Sequence, residues 1–150
     1  MTQPPSDGAN AQLAVPFFGV ADLAASLRFY VDGLGFAVTK QWPDAEHPRW
    51  CWLQLGRVAL MLQQFSPQHR PEGALGLGVN TCIICTDALA IEREARARGL
   101  GTSGEPFVGN GLWVVTFRDP DGYRLDFESP TDAPEETTLS QWLARGAGQP

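Results

Sequence analysis

The feature that most constrains this chain is a repeat. Two runs that read as amphipathic helices open on aspartates 65 residues apart, Asp22 in DLAASLRFYVDGLG and Asp87 in DALAIEREARARG. Each is followed by a pair of apolar runs joined by a tight turn, WCWLQLGRVALML and VVTFRDPDGYRLDF. The turn glycines, Gly56 and Gly122, lie 66 residues apart. A near-constant offset implies one structural unit copied and fused. Two half-open sheets related in this way can face each other across a shared cleft.

The local patterns fill in the unit. Residues 13–20 form an apolar strand that ends at Asp22, whose carboxylate suits a helix N-cap. Leu23, Leu27, Tyr30 and Leu34 give the helix one apolar face, and Gly33 and Gly35 end it. Strands are expected at about 36–42, 49–55 and 57–64, with a polar PDAEHP loop between the first two and the single Gly56 joining the last two. A Pro-, Gly- and polar-rich segment, 65–77, separates the halves. The second half repeats the order: a strand at about 78–85, a helix at 87–98, a weak strand near 104–108, and strands at 112–118 and 123–129. The last pair is joined by Asp119-Pro120-Asp121-Gly122, a strong turn signal. Residues 130–150 form a tail with one short helical pattern carrying Leu139, Trp142 and Leu143. The expected class is α+β, two fused βαβββ modules (13–64 and 78–129). One helix covers only one face of each sheet, so the other must curve around the second half, another subunit or a ligand.

Composition excludes several functions. The 150 residues suffice for one domain with a real core, and 43% hydrophobic with 19% charged residues fits a globular protein. No apolar stretch approaches the roughly 20 residues of a membrane span. Residues 1–12 lack the charge and apolar core of a secretory signal and read as a disordered leader, so a cytoplasmic location is expected. A net charge of −6 and a pI near 4.8 argue against nucleic acid as partner. Cys82 and Cys85 form a C-x-x-C, but within a strand pattern their side chains point to opposite faces, against a redox pair. With Cys51 they are read as free core thiols. His47 and His69 fall in polar loops beside prolines and are read as solvated.

The phrases V-P-F-F-x-V-x-D-L-x-x-S-L-x-F-Y, L-G-F and F-x-D-P-D-G-Y-x-L-D-F resemble the glyoxalase, bleomycin-resistance and extradiol-dioxygenase superfamily, also called vicinal oxygen chelate. The resemblance covers about residues 13–129. It implies the fold, a homodimer, and four cup-facing positions that hold metal ligands in the metal-dependent members. Counted back from Val20 and Thr86 and forward from Gly56 and Gly122, these positions are Val15, Thr81, Leu60 and Asp126. Valine and leucine cannot ligate a cation and threonine is a poor donor, so a metal site is not expected. Asp126 alone stands as a candidate catalytic group, a general base if a dry pocket raises its pKa.

Given those positions, strand alternation sorts the cleft. Arg124, Asp126 and Glu128 are expected to face it, with Val15, Phe17 and Gly19 from the first strand, Thr81 and Ile83 from its repeat, and Leu60, Leu62 and Gln64 from the end of the first half. Trp50 and Trp52 share parity on one strand and present both indoles to one face, either as core or as a planar sandwich for a ligand. Trp113 is a further ligand-facing candidate. Asp126 and Glu128 either orient a basic ligand group or pair with Arg124.

Three functions follow from these expectations. The first is a metal-free, dimeric binder of a small aromatic or cationic compound, without cofactor. The second is a lyase, isomerase or dioxygenase of the same superfamily using an altered divalent-metal site. The third is a protein-interaction module whose cup is filled by its own side chains.

Overall fold

The computed structural model describes residues 8–147. The expected leader, 1–12, therefore falls largely outside the described residues.

The halves do repeat. Strand β1 (Phe17–Val20) leads into helix α1 (Leu23–Leu27), then β2 (Ala37–Trp42), β3 (Trp50–Leu55) and β4 (Val58–Gln64). The second half runs β5 (Asn80–Ile84), α2 (Ala88–Ala97), β6 (Phe107–Gly109), β7 (Leu112–Arg118) and β8 (Arg124–Pro130), and the tail adds α3 (Leu139–Ala147). The first sheet has the order β1-β4-β3-β2 and the second β5-β8-β7-β6. In each, the first strand is parallel to the last and the other pairings are antiparallel. This is an α+β fold of two four-stranded mixed sheets.

The helix starts are as the aspartates predict. The Asp22 carboxylate accepts from the backbone N–H of Ala24 and Ala25, and that of Asp87 accepts from Ala90. Helix α1 is shorter than its periodicity suggests. After Leu27 it widens into a π-helical turn over Arg28–Gly33, where Leu34 N–H reaches the Phe29 carbonyl five residues back. The wider turn lets two adjacent aromatics, Phe29 and Tyr30, both be buried, where an even α-helix would splay them further apart.

One core serves both halves: Phe18, Val20, Leu53, Leu60 and Leu62 join Ile83, Val115, Phe117, Leu125 and Phe127 in a single buried cluster. The seam is polar as well as apolar. Tyr30, fully buried, donates its hydroxyl to Asp119 Oδ2 at 2.8 Å across the chain repeat. Asp119 Oδ1 accepts from the N–H groups of Asp121 and Tyr123, which closes the second hairpin. Tyr123 stacks on Phe18 with ring centres 4.4 Å apart and donates its hydroxyl to the Gly19 carbonyl. Asp121 in turn accepts from the Ala21 N–H.

Burial raises the Asp119 carboxyl above the usual carboxylate range, although the bonds from Tyr30 and the two N–H groups pull the other way. Tyr30→Phe deletes a bond to a buried carboxylate and is expected to cost about 1.5–3 kcal/mol at neutral pH. With the folded pKa above the unfolded one, protonation favours the fold, so stability from this group is lost as pH rises through that window. Removing the hydroxyl raises the folded pKa further. Urea denaturation should therefore show a smaller deficit for Tyr30→Phe near pH 4 than at pH 7.

Candidate functional site

Each sheet turns one face to a helix and the shared core and leaves the other uncovered. Cross-strand partners identify the two faces. On the first sheet Phe17 lies beside Met61, Trp52 opposite Met61, Trp50 opposite Gln63, Lys40 opposite Trp52 and Trp42 opposite Trp50. These residues share the uncovered face, with Phe17 52% and Trp42 60% exposed. On the second sheet Asn80 partners Arg124, Cys82 partners Asp126, Ile84 partners Glu128 and Thr116 lies opposite Asp126.

Several expected site residues stand on the wrong side. Leu60 and Leu62 are fully buried on the helix-facing side, and Ile83 is buried there too. Thr81 shares the parity of Ile83, and Gln64 that of Leu62, where its Oε1 accepts from the Leu23 N–H and helps cap α1. Trp113 is also on the core side: it lies opposite Ser129, whose hydroxyl accepts from the Ala88 N–H, and packs edge-on against Trp142 of α3 at 6.0 Å. The placing of Thr81 and Ile83 follows from equating Val20 with Thr86, one residue out from the Phe17–Cys82 equivalence, and that of Leu60 and Leu62 follows from the place of the glycine in each hairpin. Leu55 pairs with Val58 across the two residues Gly56 and Arg57, not across Gly56 alone, whereas Arg118 pairs with Arg124 across Asp119–Tyr123. Counting from the glycines therefore slips by one residue. The true counterpart of Asp126 is Met61, each being partnered to the first strand of its own half.

Phe17, Trp50, Trp52, Arg124, Asp126 and Glu128 do lie on uncovered faces, but not around one centre. A groove of about 550 Å³ is lined by Trp42, Arg49, Trp50 and Gln63. A second of about 260 Å³ includes Phe17, Gly19, Arg49, Gln63 and His69. Neither contains a residue of β8. A third groove, about 630 Å³, runs between the halves and brings Val15 and Phe17 near Thr81. His69 is held by Ser66, its Nδ1 2.6 Å from the hydroxyl, and His47 is exposed in the β2–β3 loop.

Asp126, 2% exposed, is saturated. Oδ1 accepts from Thr116 Oγ1 at 2.6 Å and Arg124 Nε at 3.1 Å. Oδ2 accepts from Asn80 Nδ2 at 2.6 Å and Arg124 Nη2 at 3.0 Å. Burial opposes ionisation here, but bonds from Arg124, Thr116 and Asn80 outweigh it and hold the carboxyl below its usual range. A group so held is a poor general base. The ion pair weighed from sequence is the arrangement observed; Asn80 and Thr116, which complete it, were missed because their partnership is visible only in strand register.

Residues 12–127 match the family described as the Glyoxalase/Bleomycin resistance protein/Dioxygenase superfamily. The chain belongs to that superfamily. Solved structures of the superfamily's fold agree. A glyoxalase/bleomycin resistance protein from Catenulispora acidiphila is 25% identical, with a TM-score of 0.60 over 81% of this chain and 97% of that one. TnmS3, an antibiotic binding protein from a Streptomyces species, is 23% identical, with a TM-score of 0.59 over 82% and 100%. A lactoylglutathione lyase from Agrobacterium tumefaciens is 20% identical, with a TM-score of 0.58 over 84% and 95%. No curated protein matches the sequence. Among the described residues, no helix is long and apolar enough to cross a membrane.

Metal-dependent members make the donor set worth testing. Cys82, Asp126 and Glu128 place ligand atoms within 4.8 Å of one another. The set does not fit a resident divalent ion. The lone pairs of Asp126 are engaged, and the Arg124 guanidinium beside it would repel a cation. The Cys82 thiol is pushed up by burial and then by the charges of Glu128 and Asp126, which disfavours the thiolate a metal needs. No histidine joins the group, and the matching face of the first sheet offers Phe17 and Met61.

Asp126→Ala would strand the Thr116 hydroxyl, the Asn80 amide and the Arg124 guanidinium. A loss of about 1–3 kcal/mol is expected, moderated because water reaches Arg124. The depressed folded pKa means the wild-type advantage is present above the ordinary carboxylate value and is lost as pH falls through the folded one. Denaturation curves of the two proteins should converge in acid.

Proposed function

We propose that this chain is a metal-free binding protein for a small planar aromatic compound, working as a homodimer. The observation that carries the reading is the uncovered face of the first sheet. Trp50 and Trp52 alternate along β3 and project to the same side, flanked by Trp42, Phe17 and Met61. Indoles placed outside the core, on rigid strands and beside a groove, are what stacking on a flat ligand requires. Known structures of this fold include both an antibiotic binding protein and a lyase, so fold alone does not choose between them. The engaged Asp126 and the apolar Phe17–Met61 pair favour binding over metal chemistry. Dimerisation is supported by the exposed apolar residues on both uncovered faces, Phe17, Trp42 and Ile84 among them, which a second copy would cover.

The alternative, a metal-dependent lyase, isomerase or dioxygenase, would need Cys82, Asp126 and Glu128 to give up the Arg124 pair before they could hold a cation. Metal analysis of protein purified without chelator separates the two, and stoichiometric metal lost in Asp126→Ala would favour the enzyme.

Titration with planar drugs should quench tryptophan fluorescence with micromolar affinity. Trp50→Ala and Trp52→Ala should each weaken binding by about tenfold, or 1.4 kcal/mol. A broad panel without any response would count against the reading.

A further inference from the structure

The uncovered face of the first sheet is aromatic, and it is also free of acid. Its positions, read from strand pairing, are Phe17 and Gly19 on β1; Ala37, Lys40 and Trp42 on β2; Trp50, Trp52 and Gln54 on β3; and Ala59, Met61 and Gln63 on β4. None is Asp or Glu, in a chain that carries 17 of them against 11 Lys and Arg. The charges at this face are cationic. Lys40 Nζ sits 5.2 Å from the centre of the Trp52 ring.

Arg49 stands at the other end. Its N–H bonds to the Trp42 carbonyl at 2.7 Å and its own carbonyl accepts from the Gln64 N–H at 2.8 Å, which fixes its backbone between β2 and β4. Arg49 lines the groove of Trp42, Trp50 and Gln63 and also the neighbouring groove of Phe17 and His69. The three ion pairs among the described residues are Arg93–Asp87, Arg96–Glu92 and Arg124–Asp126; neither Lys40 nor Arg49 takes part. The acids of the β2–β3 loop do not supply a ready partner either. Asp44 is turned onto its own loop, accepting from the N–H groups of Glu46 and His47.

From this geometry we infer that the ligand is an aromatic acid: a planar ring stacked on Trp42 and Trp50, carrying a carboxylate or a similar oxyanion that meets the Arg49 guanidinium, with Lys40 adding field from beyond Trp52. This rests on the proposed aromatic-binding function and names its ligand class. A planar guanidinium matches a carboxylate through two parallel N–H bonds, which a ligand amine cannot use. A basic ligand has no counter-charge on this face, none of whose positions is an acid. On the other sheet Asp126 is spent on Arg124, and Glu128 lines neither of these grooves.

The test uses three probes of one shape, 2-naphthoate, 2-naphthamide and 2-naphthylmethylammonium, titrated into the full chain by calorimetry and tryptophan fluorescence. The acid should bind at least tenfold more tightly than the amine, with the amide between them, and the acid's advantage should shrink with added salt. Arg49→Gln should bring the acid to the level of the amide measured on the same variant. Arg49→Lys should restore part of the preference, and Lys40→Gln should cost the acid less than Arg49→Gln does. Thermal melts of the variants check that the fold is kept. Equal or tighter binding of the amine overturns the acid preference while leaving the aromatic reading intact, as does an acid preference that survives Arg49→Gln. Failure of all three probes to bind overturns both.

Discussion

The arrangement of this molecule depends on a buried hydrogen bond between its two halves. Tyr30 sits on the π-helical turn of the first half and Asp119 opens the β7–β8 hairpin of the second. Neither group could be left alone at this depth, because an unpaired phenol or carboxylate would cost more than most single contacts return. Together they fix how the first helix meets the second hairpin, and the same aspartate shapes the hairpin through its other oxygen. Tyr123 and Asp121 extend the seam to Gly19 and Ala21, beside the start of α1. The helix-bearing sides of the sheets are thereby joined in one core, and their other sides are left open.

Much of this was legible in the sequence because it rests on local chemistry. The two N-cap aspartates, the apolar alternation of β4 and β8 and the Pro-Gly turn each declare themselves within a few residues, and the repeat supplies the order. What was not legible is register. Strand alternation has a period of two, so one residue of error inverts a face. The β3–β4 turn holds two residues inside its closing pair and the β7–β8 turn five, and the turn glycines occupy different places within them. Leu60, Leu62 and Ile83, expected in the cup, belong to the core, and Thr81 is half-buried on the same side, at the groove between the halves. Trp50 and Trp52 escaped that error, since their shared parity holds whatever the absolute register. The cysteines show the same distinction: Cys82 and Cys85 point to opposite sides as expected, but Cys82 is exposed on the uncovered face.

The two uncovered faces are copies in topology and opposites in chemistry. The position that holds Met61 in one holds Asp126 in the other, and the position of Phe17 is matched by Cys82. One face has become aromatic with free cations at its edges. The other has built a closed polar network in which Arg124, Thr116 and Asn80 consume a carboxylate. Such a network orients Arg124 and neutralises Asp126, which leaves Glu128 as the charge that second face still presents. Duplication supplied two equivalent walls, and divergence made them complementary in charge.

Magnitudes decide how the walls must be used. Stacking on an indole contributes about 0.5–1.5 kcal/mol beyond burial, so two indoles on one open sheet give at most about 3 kcal/mol. Millimolar binding already requires about 4 kcal/mol, and micromolar about 8. The remainder has to come from apolar burial and from the proposed oxyanion contact with Arg49, and an open face leaves the other side of the ligand in water. The two grooves along the first sheet hold no residue of β8, and the shared core keeps the sheets of one chain joined by their backs. The proposed homodimer would supply a second wall from another copy of the chain. On the proposed reading dimerisation and binding are then coupled, and ligand affinity is expected to fall with dilution as the dimer dissociates.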